Sequence, residues 1–123
     1  ADKEPLKALL TGEEVLKYQS LVRRVPVPDH IYDYAVEIVR RTRPDGEDAP
    51  EWIKEYVGWG AGPRASQYLI VAAKCHAAFA GKYSPDIENV RTVALPILRH
   101  RIVRNYKAEA EGVTVEKLVE GLL

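Results

Sequence analysis

The chain has 123 residues, 46% of them hydrophobic and 29% charged, and its 18 basic and 18 acidic side chains cancel to zero net charge. That length is most simply one domain, able to bury roughly two-thirds of its unfolded surface, and the composition excludes wholesale disorder. Zero net charge argues against a nucleic-acid binder, the lone Cys75 excludes an internal disulfide framework, and no apolar run approaches the ~18 residues of a membrane span.

In chain order, Thr11-Gly12-Glu13-Glu14 has the spacing of a capping box, with Thr11 as cap and Glu14 reaching back. Val15, Tyr18, Val22 and Val25 follow at helical spacing until Pro26-Val27-Pro28 stops the helix. Ile31, Tyr34, Ala35, Ile38 and Val39 predict a second amphipathic helix ending near Thr42, just before Arg43-Pro44. Residues 44–50 read as a polar loop, and Glu51 to Val57 as two turns of helix.

Next comes Gly58-Trp59-Gly60-Ala61-Gly62-Pro63-Arg64-Ala65-Ser66, a glycine-rich loop running into a long apolar segment. Proline suits the first position of a helix, where its missing N–H had no intrahelical partner, so Pro63 is predicted there with Gly62 as N-cap. The predicted helix covers about 63–80 and closes at Gly81, with Ala65, Leu69, Ala72, Ala73, His76 and Ala80 on the buried face. So many alanines imply close helix neighbours. Arg64 then sits in the first turn, at a helix end whose dipole favours anions.

Ser84-Pro85-Asp86 reads as another start: cap, proline, acid, with Ile87, Val90 and Ala94 on the buried side. Pro96 is expected to open a further segment through Leu98, Ile102 and Tyr106, and Thr114 to cap a last helix carrying Val115, Leu118, Val119 and Leu122. No stretch of four residues alternates convincingly with period two. The predicted fold is therefore all-α, a compact bundle of five or six helices in one domain over residues 1–123.

The catalytic inventory is mostly negative. No pair of glycines five apart is followed by Lys-Ser or Lys-Thr, so there is no phosphate-binding P-loop, and no apolar strand ends in paired acids for magnesium. His30, His76 and His100 lack metal-ligand spacing, Cys75 and His76 point ~100° apart on a helix, and His76 is expected on the apolar face as a structural histidine. The chain alone is expected to catalyse nothing. Arg23, Arg24, Arg40 and Arg41 read as solvated helix faces, and Arg99-His100-Arg101 as structural packing or a subunit contact. There is no methionine, even at position 1, so the chain is expected to be a cut piece of a larger, cytoplasmic protein; its N-terminus is too polar for a signal peptide.

Several stretches taken in order carry a resemblance over essentially the whole chain. They are Val25-Pro26-Val27, the helix from Tyr34 to Arg43, Gly60-Ala61-Gly62-Pro63-Arg64-Ala65, Tyr83-Ser84-Pro85-Asp86, Leu98-Arg99-His100-Arg101 and Ala108-Glu109-Ala110-Glu111-Gly112. Together they resemble the C-terminal lid of MoxR-type AAA+ ATPases. One departure is Gly62, where many family members have serine before the proline. The resemblance implies a complete protein that binds ATP and magnesium in an N-terminal α/β domain absent here. It also implies a ring, commonly hexameric, with neighbouring subunits, chaperone-like remodelling, and often von Willebrand factor A-domain partners. In that picture Gly62, Pro63 and Arg64 form the nucleotide-facing turn, and Arg64 matches the sensor-2 arginine that reaches the γ-phosphate. The competing readings are a free-standing helical protein-interaction domain and, behind it, a helix-turn-helix DNA binder. The sequence upstream of Ala1 would discriminate them.

Overall fold

Ile31, Ala35, Ile38 and Val39 recur at the spacing of one helix face, and all four are buried on α1 (Asp29–Arg41) in a computed structural model of the protein, which describes residues 20–123. Ahead of α1, residues 20–23 are helical, Val22 is buried, and the helix has ended before Pro26 as the sequence predicts. The predicted capping box at Thr11–Glu14, with Val15 and Tyr18, lies outside the described residues.

After the polar loop come α2 (Glu51–Tyr56), β1 (Val57–Trp59), α3 (Ala65–Phe79), α4 (Ile87–Leu98), β2 (Val103–Arg104), α5 (Tyr106–Glu111) and α6 (Val115–Leu122). The architecture is helical, with α3 and α4 as its most extensive packed pair and α1 and α6 closing against them. Ala73 of α3 and Ala94 of α4 are fully buried, and side chains this small let two backbones approach closely. The core is completed by Ile53, Leu69, Val90, Leu98, Leu118, Val119 and Leu122. Among the described residues, no helix is long and apolar enough to cross a membrane.

The structure corrects several local expectations. A short antiparallel ribbon joins β1 to β2, pairing Val57 with Arg104 and Trp59 with Val103 around an irregularity at Gly58. Two- and three-residue strands are too short to show a period, so no sequence pattern announces them. The buried face of α3 is Ala65, Leu69, Ile70, Ala73 and Ala77, while Ala72 is only partly buried and His76 and Ala80 are exposed. This helix is apolar nearly all round, so its periodicity hardly selects a face and the neighbours choose it. His76 is thus not a core histidine; its Nδ1 meets the Nδ2 of Asn89 on α4 at 2.7 Å.

Two predicted helix starts also move. Asp86, not Ser84, caps α4: its carboxylate accepts from the Asn89 N–H, and the Asn89 side chain accepts from the Asp86 N–H. Pro96 does not open a segment but lies inside α4. The buried run Val90, Ala94 and Leu98 holds the helix together across the one hydrogen bond that proline removes. At the helix end, the Arg101 guanidinium donates to the Ile97 carbonyl at 2.8 Å and stacks over Tyr68. The Thr114 cap of α6 and the turn at Gly81, with φ of +76°, stand where the sequence places them.

Candidate functional site

The glycine loop leaves the ribbon at Trp59, which is 76% exposed, and passes directly over the end of α1. Gly60 makes this crossing possible. A Cβ there would lie 2.4 Å from the Thr42 carbonyl oxygen and 2.7 Å from the Arg43 Cα, so no larger residue fits without moving backbone. Ala61 follows, fully buried, and its N–H donates to the Thr42 hydroxyl at 2.9 Å. Gly62 and Pro63 then turn the chain, and the Gly62 carbonyl accepts from the Ala65 N–H at 3.0 Å. Ala65 enters the core at 2% exposure.

Gly62 and Pro63 thus lie outside the helix, which starts two residues later than predicted. The helical hydrogen bonds begin at Tyr68 N–H to the Arg64 carbonyl, and Arg64 itself is the N-cap residue, in right-handed helical conformation. The difference is within the ambiguity of any helix end. Its chemical consequence is larger. No side chain caps α3, and the N–H groups of Ser66 and Gln67 have no intrahelical acceptor. Arg64 is exposed, and among the described residues its guanidinium has no hydrogen-bond or ion-pair partner. A cation and two donors without an acceptor among the described residues therefore gather at the positive end of a 15-residue helix. Such an end can receive an anion without breaking any existing contact.

Beside the loop runs a groove of about 410 Å³, walled on one side by Arg43, Pro44 and Asp45 and on the other by residues 58–62. Arg43 was named by the sequence without a role; the structure brings it to this groove. Three other arginines are engaged elsewhere: Arg41 donates to the Leu122 carbonyl at 3.1 Å, Arg104 to the Val113 carbonyl at 2.8 Å, and Arg99 lies 3.5 Å from Glu116. Within the Leu98-Arg99-His100-Arg101 stretch, Leu98 is buried and Arg99 and His100 are exposed at the end of α4. Sequence reasoning missed Thr42, whose only local signal was its place at a helix end.

Perturbed ionisable groups lie away from the loop. Hydrogen bonding to Glu55 and Glu111 pushes the Tyr56 hydroxyl well above its ordinary range, and the Tyr56 and Lys107 side chains hold Glu55 low. Burial raises the Cys75 thiol. Among the described residues, no three His, Cys, Asp or Glu side chains come together to hold a metal ion.

The AAA lid domain family matches residues 50–122. The chain is similar to the Mycobacterium tuberculosis protein named chaperone MoxR1, with 31% identity over 117 residues that cover 95% of this chain and 31% of that one. It is similar as well to YeaC of Bacillus subtilis, an uncharacterized protein, with 28% identity over 120 residues covering 98% and 35%. A crystal structure of a candidate ATPase from Cytophaga hutchinsonii superposes with a TM-score of 0.84 at 33% identity, covering 89% of this chain and 33% of that one. The chain thus spans about a third of the length of each relative.

Proposed function

The chain belongs to the AAA lid domain family, as the C-terminal lid of a MoxR-type AAA+ ATPase, and on that premise we propose that it closes over ATP held by an N-terminal α/β domain and that Arg64 senses the γ-phosphate. The observation that carries this reading is the Arg64 guanidinium, without a partner among the described residues, at the start of α3, where no side chain among them caps the helix. An arginine suits the task because it is always charged and its planar fork meets two phosphate oxygens at once. The open N–H groups of Ser66 and Gln67 add donors along the same helix axis.

The residues present fit the phosphate end of the nucleotide and not its magnesium. No described carboxylate cluster could hold the ion, so its ligands would come from the N-terminal domain. When bound, ATP with magnesium supplies the phosphoryl group that is transferred to water. Gly62 brings no side chain to the turn, and Arg64 presents its charge there. In the complete protein the lid would take part in a ring, commonly hexameric, of a cytoplasmic chaperone-like remodeller, with a von Willebrand factor A-domain protein as partner. The 123 residues would form one lid domain within it.

The test is Arg64→Ala in the complete protein. Hydrolysis should slow by roughly tenfold to thousandfold, the scale of losing one charged stabiliser at about 1.4–4 kcal/mol. ADP affinity should change far less, because the charge matters most where negative charge shifts during transfer. Unchanged turnover would make Arg64 a surface residue and end the sensor reading.

A further inference from the structure

We propose that the buried hydroxyl of Thr42 is the positioning residue for Arg64, setting the height of the glycine loop from which α3 starts. The proposal rests on the sensor reading of Arg64. It concerns a residue that lies before the matched segment 50–122. Thr42 is fully buried, and its single hydroxyl hydrogen goes to the Val39 carbonyl at 2.6 Å. That bond fixes the hydroxyl's rotation and leaves a lone pair for the Ala61 N–H at 2.9 Å. A threonine that merely finished its own helix would need the first bond alone. The second reaches 19 residues along the chain to the loop.

The joint has no slack. Gly60 lies against the Thr42 carbonyl and the Arg43 Cα so closely that a Cβ would collide with both, which sets the loop's distance from α1. α1 is itself a fixed frame, anchored by Ile31, Ala35, Ile38 and Val39 in the core and by the Arg41 bond to the Leu122 carbonyl. From Ala61 only Gly62, Pro63 and Arg64 intervene before Ala65, which is again buried. The proline ring and the bond from the Ala65 N–H to the Gly62 carbonyl stiffen that span. The Arg64 backbone is therefore held between two anchors. One is the core packing of Ala65, and the other is Thr42. Positioning of this kind matters because a displacement of about 1 Å can cost as much as hundredfold in rate.

Two variants separate this role from plain stability. Thr42→Val keeps the shape and removes the hydroxyl, whereas Thr42→Ser keeps it. By amide exchange and NMR relaxation on the 123-residue chain, Thr42→Val should speed exchange at Ala61 by about tenfold or more and loosen residues 60–64, while the Asp86–Asn89 turn stays as protected as before. Thr42→Ser should match the parent. In the complete protein, Thr42→Val should lower turnover by about tenfold to hundredfold with ADP affinity within about threefold, and Thr42→Ser should restore turnover. Should Thr42→Val fail to fold, Thr42→Cys, whose thiol is a weak donor and acceptor, takes its place and should fall between the two. Normal turnover with a loosened loop, or equal losses in Thr42→Val and Thr42→Ser, overturns the proposal. Arg64→Ala measured alongside tells the failures apart. If Arg64→Ala slows hydrolysis and Thr42→Val does not, positioning alone is wrong; if neither does, the sensor reading falls and takes this inference with it.

Discussion

The starts of α3 and α4 treat the same chemistry in opposite ways. Both are helix N-termini on the two most extensively packed helices, and both carry donors that need acceptors. At α4 the need is met internally. The Asp86 carboxylate and Asn89 amide form a reciprocal capping box, Lys82 pairs with Asp86, and Asn89 reaches His76 across to α3. At α3 no side chain caps the helix, and the first-turn cation has no described partner. Its backbone is nonetheless tied down on both sides, by the Ala61 N–H bond to the Thr42 hydroxyl and by the burial of Ala65. The lesson is that rigidity and saturation are separable. A saturated end joins two helices through side chains, while the end of α3 leaves its first donors without a described acceptor.

The comparison breaks most sharply at Gly60. Gly60→Ala drives a Cβ into the Thr42 carbonyl at 2.4 Å, where the nearest atoms are all Thr42 and Arg43 backbone and no flexible side chain can yield. It should destabilise the chain near the upper end of the about 1–3 kcal/mol typical of overpacking, measurable by thermal or urea unfolding. A loss below a few tenths would mean that the loop is free to lift, and that the α3 end is not pinned.

Asn89→Ala tests the saturated end. It removes the acceptor for the Asp86 N–H and the contact to His76 from a residue that is 2% exposed. Leaving those partners unmet should cost about 1–2 kcal/mol in unfolding experiments, without the selective loss of turnover expected of Arg64→Ala. If Asn89→Ala slows hydrolysis as Arg64→Ala does at equal stability, the division of labour between the ends fails.

The smallest effect concerns acid. The Asp86 carboxyl is held below the usual carboxylate range, first by the Lys82 ammonium and then by the Asn89 N–H. A carboxyl lowered in the folded state contributes stability above its unfolded value near about 4 and loses it as pH falls through the folded value. The melting-temperature gap between the parent and Asp86→Asn should therefore narrow below about pH 4. A gap that stays constant from neutral pH into acid would show that the charge adds nothing to the cap.

Much of the helical framework was legible because it is local. The α1 stripe from Ile31 to Val39, the Thr114 cap and the Gly81 stop each depend on residues within one or two turns. The start of α3 just after glycine and proline was legible for the same reason, although Arg64 proves to be its N-cap residue and not a first-turn one. The Asp86 cap was missed by two residues because Ser84-Pro85-Asp86 offers two caps in one tripeptide; the buried fit of Pro85 and the reach to Asn89 chose between them.

What local sequence determined about this protein is most of its helices and their polar breaks, though not α5, whose first residue, Tyr106, is the last of the segment expected from Pro96. What only the tertiary structure decided is which face of α3 turns inward, the ribbon between residues 57–59 and 103–104, and the joint of Thr42 with Gly60 and Ala61. The physical reason is range. Capping and amphipathic spacing act within a few residues along the chain, whereas a buried hydroxyl bonding an amide 19 residues away exists only once the core has brought α1 beneath the loop.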